Sequence, residues 1–212
     1  MADLILGVHA GINATAAIGD DTGIRYCVQE ERLTGEKSYI GFPHRAISAC
    51  LAAAGARPGD IAVIGYGSRS GSLGHCSRDE LTKRLARFHQ LPRLPGNWAR
   101  EWRMAHHRDD GMRARLAGLL DGARLGEIPV RCYDHHTAHG AAAYYGLRDD
   151  PGAPYLVVTC DGFGDGACAT VAAWENGTRR EIARTGVRDS LGLLYFWTTH
   201  GAGFPRKDAG PA

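Results

Sequence analysis

No run of roughly eighteen uncharged apolar residues occurs anywhere in the 212-residue chain, so none of it reads as a membrane-spanning helix. The start, Met-Ala-Asp-Leu-Ile-Leu-Gly, has neither the basic opening nor the long apolar stretch of a signal peptide, and the expected location is the cytoplasm. The six cysteines (Cys27, Cys50, Cys76, Cys132, Cys160, Cys168) form no Cys-x-x-Cys pair, which fits reduced thiols better than a disulfide scaffold. Net charge is only +2, too small to imply nucleic acid by itself. There is no internal repeat and no low-complexity tract. No Gly-x-x-x-x-Gly-Lys-[Ser/Thr] loop occurs, and no Gly-x-Gly-x-x-Gly opens a helix after the first strand, so P-loop and Rossmann readings both fail.

What is present is an ordinary globular composition, 44% hydrophobic and 23% charged, with 29 glycines. Three short apolar runs near the N-terminus, starting at Leu4, Ala14 and Ile24 and separated by tight turns, predict an antiparallel meander. Pro43 to Ala54 predicts a helix with Gly55 as its stop, and Ile61 to Gly65 a buried strand. Residues 78–119 carry ten Lys/Arg against five Asp/Glu, with Trp98 and Trp102, and read as a helical insertion: a solvated helical face with the two tryptophans packed inward rather than a grip on phosphates or nucleic acid, and at most a substrate-side lid. Farther on the pattern predicts a strand over 128–133, a helix over 137–145, a strand over 155–159, a hairpin around Asn176-Gly177, and a helix over 191–200. A meander followed by alternating helices and strands defines an α/β layer fold.

Four clusters carry chemistry. In Asp134-His-His-Thr-Ala-His139 the imidazoles of His135 and His139 are four apart, one face of a helix, and can share a divalent metal; the same spacing suits a surface pair at a helix start. In Val158-Thr-Cys-Asp-Gly-Phe-Gly-Asp-Gly166 a strand delivers an acid into a glycine loop, a place for phosphate or Mg²⁺, or else a plain hairpin. Gly7-Val-His-Ala-Gly-Ile-Asn-Ala-Thr15 links the first two strands; Asn13 and Thr15 can meet a phosphate and His9 can act as acid or base, unless this too is a simple turn. Gln29-Glu-Glu-Arg-Leu-Thr-Gly-Glu-Lys37, by itself, reads as a solvated charged exit from a strand.

Taken in order, these pieces resemble the N-terminal part of the carbamoyltransferases of antibiotic and nodulation-factor biosynthesis, the NodU/CmcH type. The matching motifs are Ile5-Leu-Gly-Val-His-Ala-Gly, Ala14-Thr-Ala-Ala, Gln29-Glu-Glu-Arg-Leu, Lys37, Gly41-Phe-Pro43, Asp134-His-His-x-x-His139, Asp161-Gly-x-Gly-Asp165 and Ser190-Leu-Gly-Leu-Leu-Tyr195. The resemblance implies an actin-like, ribonuclease-H-like α/β fold of two lobes followed by a YrdC-like domain, with residues 1–212 forming the N-terminal lobe. It implies that carbamoyl phosphate and ATP give carbamoyl adenylate, whose carbamoyl group passes to a hydroxyl of a small molecule. By motif, His135 and His139 become ligands of a divalent metal, iron in the family. Asp161, Gly162 and Gly164 become one phosphate loop, and the stretch Gly11 to Thr15, with Asn13, the other.

Two departures qualify this. Where the family has His-Asp-Ala-Ser or His-Asn-Ala-Ser, this chain has Ile12-Asn-Ala-Thr15, and an alkyl group cannot take a proton; His9 is the substitute. The family's further Asp ligand lies in its second lobe, whereas this sequence ends at Pro211-Ala212. The expectation is therefore a fragment or split subunit, completed by a second polypeptide and inactive alone. Two alternatives stand beside it: a non-catalytic nucleotide- or metal-binding remnant, and a relative of the tRNA threonylcarbamoyl transferases. Glu30-Glu31-Arg32 with Gly41-Phe42-Pro43 points away from the latter, and neither nucleic acid nor a membrane is an expected partner.

Overall fold

A computed structural model describes residues 3–69 and 118–203. The segment read as an insertion, 78–119, therefore lies outside the described residues apart from 118 and 119, which begin a described helical stretch over 118–122, and the stretch 204–212 lies outside them too. The chain divides into two compact units, Met1–Asp134 and His135–Ala212.

The first unit is built on alternation. In β1 (Leu4–His9) the side chains of Leu4, Leu6 and Val8 are buried, and the residues between them are not, as a strand with one packed face requires. β1 pairs antiparallel with β3 (Thr15–Asp20), which pairs antiparallel with β4 (Gly23–Gln29). On its other side β1 takes β6 (Ile61–Tyr66) in parallel, and β6 takes β7 (Val130–Cys132), also in parallel. The order β4-β3-β1-β6-β7, with β3 alone reversed, is that of the ribonuclease-H-like sheet on which actin-like folds are built. A small second sheet joins β2 (Gly11–Ile12) to β5 (Ile40–Gly41).

The helix α2 (His44–Ala54) covers this sheet with Ala46, Ile47 and Cys50, all buried. Its N-terminus explains a motif that local sequence misreads. The short helix α1 (Glu30–Thr34) follows β4 directly, and Glu30 is only 2% exposed rather than solvated. Its Oε1 accepts the Arg45 N–H at 3.0 Å and its Oε2 the Ala46 N–H at 2.7 Å. Pro43 offers no side-chain cap, so the carboxylate of Glu30 satisfies the orphan amides of α2 and complements its dipole. Glu31 works similarly, its Oε2 accepting the Ser38 N–H at 2.7 Å. Glu30→Ala strands two donors and is expected to cost about 2–4 kcal/mol in urea unfolding, against about 1–2 for Glu30→Gln, which keeps one acceptor. A loss under about 1 kcal/mol for the alanine variant would contradict the capping role.

The second unit repeats the meander. The strands β8 (Tyr155–Gly164), β9 (Ala167–Glu175) and β10 (Thr178–Gly186) form an antiparallel sheet in the order β10-β9-β8. Asn176 and Gly177 both have positive φ, the type I′ turn that the dipeptide predicts. The helix α3 (His135–Leu147) packs on β8 and β9 over a core of Tyr144, Val157, Ala172 and Trp174. The helix α4 (Leu191–Gly201) packs on β8.

The two edges of this sheet differ in kind. β10 carries Arg179, Arg180, Glu181 and Arg184, with a bulge at Glu181/Ala183, the features that blunt an exposed edge. Glu181 binds Arg184 at 2.9 Å and Arg179 at 2.7 Å, and those partners hold its carboxyl down to about 2. β8 has no charge from Tyr155 to Cys160, and its Leu156 and Val158 are exposed.

Candidate metal centre

The sequence-predicted residues fall into both units. In the first unit, His9 ends β1, half-buried, with its Nε2 donating to the Ile12 carbonyl at 3.2 Å. That bond puts the proton of a neutral ring on Nε2 and the lone pair on Nδ1. Gly11 is buried in β2 at φ 136°, and Asn13 sits at φ 58° with its N–H donated to the Tyr39 carbonyl at 2.9 Å. The Thr15 hydroxyl donates to the Asn13 carbonyl at 2.6 Å. The loop is thus held in place by β5 and by its own polar groups, and Ile12 is 41% exposed at its tip.

In the second unit three predicted residues converge. Helix α3 begins at His135, so His135 and His139 project one turn apart, ring centroids 4.5 Å apart and nearly perpendicular. Asp161 reaches them because β8 is irregular. Between Cys160, paired with Ala169, and Gly164, paired with Ala167, the residues Asp161, Gly162 and Phe163 stand opposite Cys168 alone. Such a bulge re-aims a side chain that a regular strand would keep in the pleat. The Asp161 Oδ2 lies 2.8 Å from the His135 Nε2 and 3.4 Å from the His139 Nε2, and the two Nε2 atoms are 3.0 Å apart. Hydrogen bonds from His135 first and His139 second hold the Asp161 carboxyl well below the usual carboxylate range, outweighing the burial that raises it. The sequence assigns Asp161 to a loop suited to phosphate or Mg²⁺, and the structure puts its carboxylate within reach of both imidazoles.

The glycines of the loop have steric tasks. A Cβ on Gly164 would lie 2.1 Å from the His135 Cδ2, so the absent side chain is the space that imidazole occupies. A Cβ on Gly192 would come within 2.9 Å of the Gly162 Cα, so the first turn of α4 rests directly on the bulge. Ser190 fastens that contact: its hydroxyl donates to the Gly162 carbonyl at 2.6 Å and accepts the Leu193 N–H at 3.1 Å as the cap of α4. The Gly162 N–H itself points to the Asp161 Oδ1 at 2.5 Å.

The donor set suits a divalent cation. Ligands about 2.1 Å from an ion and at right angles are about 3.0 Å apart, and the separations of 2.8, 3.0 and 3.4 Å bracket that value. Two imidazole nitrogens and one carboxylate oxygen on one side of a point form the two-His, one-carboxylate arrangement that non-haem iron(II) favours, with positions left for water or substrate.

An α/β chain with a ribonuclease-H-like sheet and a His-His-Asp centre is the class these observations define. The chain belongs to the carbamoyltransferase family: the family profile described as "Carbamoyltransferase N-terminus" matches residues 4–210. Among solved structures, YeaZ from Pseudomonas aeruginosa is similar at 9% identity and a TM-score of 0.41, over 87% of this chain and 68% of that one. A crystal structure of an uncharacterized protein with similarity to peptidase YEAZ from Pseudomonas aeruginosa is similar at 10% identity and 0.39, over 85% and 64%. No helix among the described residues is long and apolar enough to cross a membrane.

Proposed function

We propose that the chain is part of an O-carbamoyltransferase of natural-product biosynthesis, moving a carbamoyl group from carbamoyl phosphate, by way of carbamoyl adenylate made with ATP, onto a hydroxyl of a small molecule. The observation that carries this reading is the His135, His139 and Asp161 cluster inside a chain of carbamoyltransferase family. A cation held there would supply positive charge to the phosphate oxygen that leaves the carbamoyl carbon. The chain's own residues do the rest. Asp161 and the two imidazoles would fix the position of that charge, and Ser190 and Gly192 keep the bulge against α4. The acceptor oxygen attacks the carbamoyl carbon, the bond to the adenylate phosphate breaks, and the hydroxyl proton goes to a base, a role that motif order alone gives to His9 in place of Ile12.

Among the described residues no strand pairs with the outer edge of β8, which supports a further polypeptide in the working enzyme. In the first unit the equivalent strand β1 is paired on both sides, while among the described residues β8 is paired only with β9. Carbamoyl transfer is accordingly expected only with that completing polypeptide present.

Metal analysis tests the core of this reading. After dialysis against Fe²⁺ under anaerobic conditions the chain is expected to retain about one ion, weakly because only three protein ligands hold it. His135→Ala is expected to abolish retention. Tight stoichiometric metal that survives His135→Ala would refute the assignment, and so would a wild-type chain that retains none.

A further inference from the structure

We infer that Asp165 is the positioning residue of this centre: it fixes His135 by gripping the backbone rather than the imidazole. The inference rests on the metal reading above and adds a residue to which neither the motif nor the family match gives a role. Asp165 and Gly166 have φ of 48° and 84°, the type I′ turn that joins β8 to β9. From the tip of that turn the Asp165 Oδ2 accepts the His135 N–H at 2.8 Å. His135 is the first residue of α3, so its N–H is one of the donors that no helical carbonyl reaches. The carboxylate satisfies that donor, sits at the positive end of the helix dipole, and joins the helix to the hairpin.

The consequence is geometric. With its N–H held, the Cα–Cβ bond of His135 is fixed relative to the hairpin, and the ring enters the space left by the missing Gly164 side chain. The same segment, four residues earlier, presents Asp161 to that ring. One stretch, 161–165, therefore supplies a ligand, the room for a second ligand and the anchor of that second ligand. His139 follows one helical turn later on the same rigid element. Asp165 thereby sets the three donor atoms at one another's distance with no need to touch an ion.

Two variants of the full-length chain separate anchoring from mere stability. Asp165→Gly keeps the turn, because glycine accepts positive φ freely, and removes the acceptor. Asp165→Asn keeps both the turn and an acceptor oxygen. Titration with Co²⁺, followed by its visible absorption, is expected to show a Kd weakened about 10–100-fold in Asp165→Gly, as for other residues that orient metal ligands. Asp165→Asn is expected to stay within about threefold of wild type. A thermal midpoint lowered in Asp165→Gly with the Co²⁺ Kd within about twofold of wild type would overturn the inference, since a purely structural brace gives that pattern. The metal-free chain gives an independent reading through the NMR signals of the His135 imidazole. These should move in Asp165→Gly and stay in place in Asp165→Asn. Should the wild-type chain bind no Co²⁺, the metal reading falls, and unchanged His135 signals in Asp165→Gly would still refute positioning.

Discussion

On the metal reading proposed above, Gly164→Ala is expected to lower divalent-metal affinity by about a hundredfold while leaving the second unit folded. The reason is local. Gly164 has no positive φ, so alanine suits its backbone, and the whole penalty lies in the contact between the new Cβ and the His135 ring, 2.1 Å from Cδ2 and 2.2 Å from Cγ. The ring cannot stay. If it rotates away, its Nε2 leaves Asp161 and His139 and the three-donor triangle is lost. If instead the hairpin shifts, Asp161 moves with it. Either response destroys the metal geometry; the stability cost is that of overpacking, about 1–3 kcal/mol. A double-mutant cycle isolates the cause. In a His135→Ala background the three nearest atoms that the added methyl meets are gone, so the stability penalty of Gly164→Ala should fall sharply, giving a coupling energy of about 1–3 kcal/mol. Equal penalties in both backgrounds would show that the glycine is needed for some other reason.

The elements that local pattern determines were legible: the N-terminal meander from short apolar runs separated by tight turns, α2 from its Pro start and Gly55 stop, and the β9–β10 hairpin from Asn176-Gly177. The His135/His139 pair was legible for the same reason, since four-residue spacing acquires meaning as soon as a helix is assigned. What was not legible depends on contacts between elements. Nothing in Asp161-Gly162-Phe163 says that these residues stand opposite a single partner on β9, and without that bulge the carboxylate would not reach the imidazoles. Glu30 looks like one more surface charge because its partners, the Arg45 and Ala46 amides, belong to a helix that begins fourteen residues later. The sequence does single out Asp161, and the signal that joins it to the histidines is chemical rather than periodic: an acid at the end of an apolar strand, in a chain that already offers two paired imidazoles.

Trp174→Ala is expected to be the most destabilising single truncation in the second unit, about 3–5 kcal/mol. The core there is small, and Trp174, 4% exposed, is its largest member. Its indole stacks on Tyr144 with centroids 5.0 Å apart and 27° between planes, and meets Tyr145 edge-on. It also fills the surface left open by Gly140, where a Cβ would stand 3.3 Å from the indole Cζ2, so that α3 can lie close against the sheet. Removing the indole leaves a cavity bounded by rigid neighbours that cannot collapse into it. Trp174→Phe behaves differently, because the buried Trp174 Nε1 has no hydrogen-bond partner among the described residues. Phenylalanine loses some volume but also removes a stranded donor that costs about 1–3 kcal/mol, so its net effect should be within about 1 kcal/mol of wild type. Because the chain has two compact units, a single unfolding midpoint would blend them, and amide exchange along β8 and β9 is the measurement to use. Protection there should fall by about two to four powers of ten in Trp174→Ala and barely change in Trp174→Phe. Protection in β1 and β6 should hold in both variants. A phenylalanine variant as unprotected as the alanine variant would mean that the indole nitrogen is satisfied after all, and that volume alone decides the stability of this core.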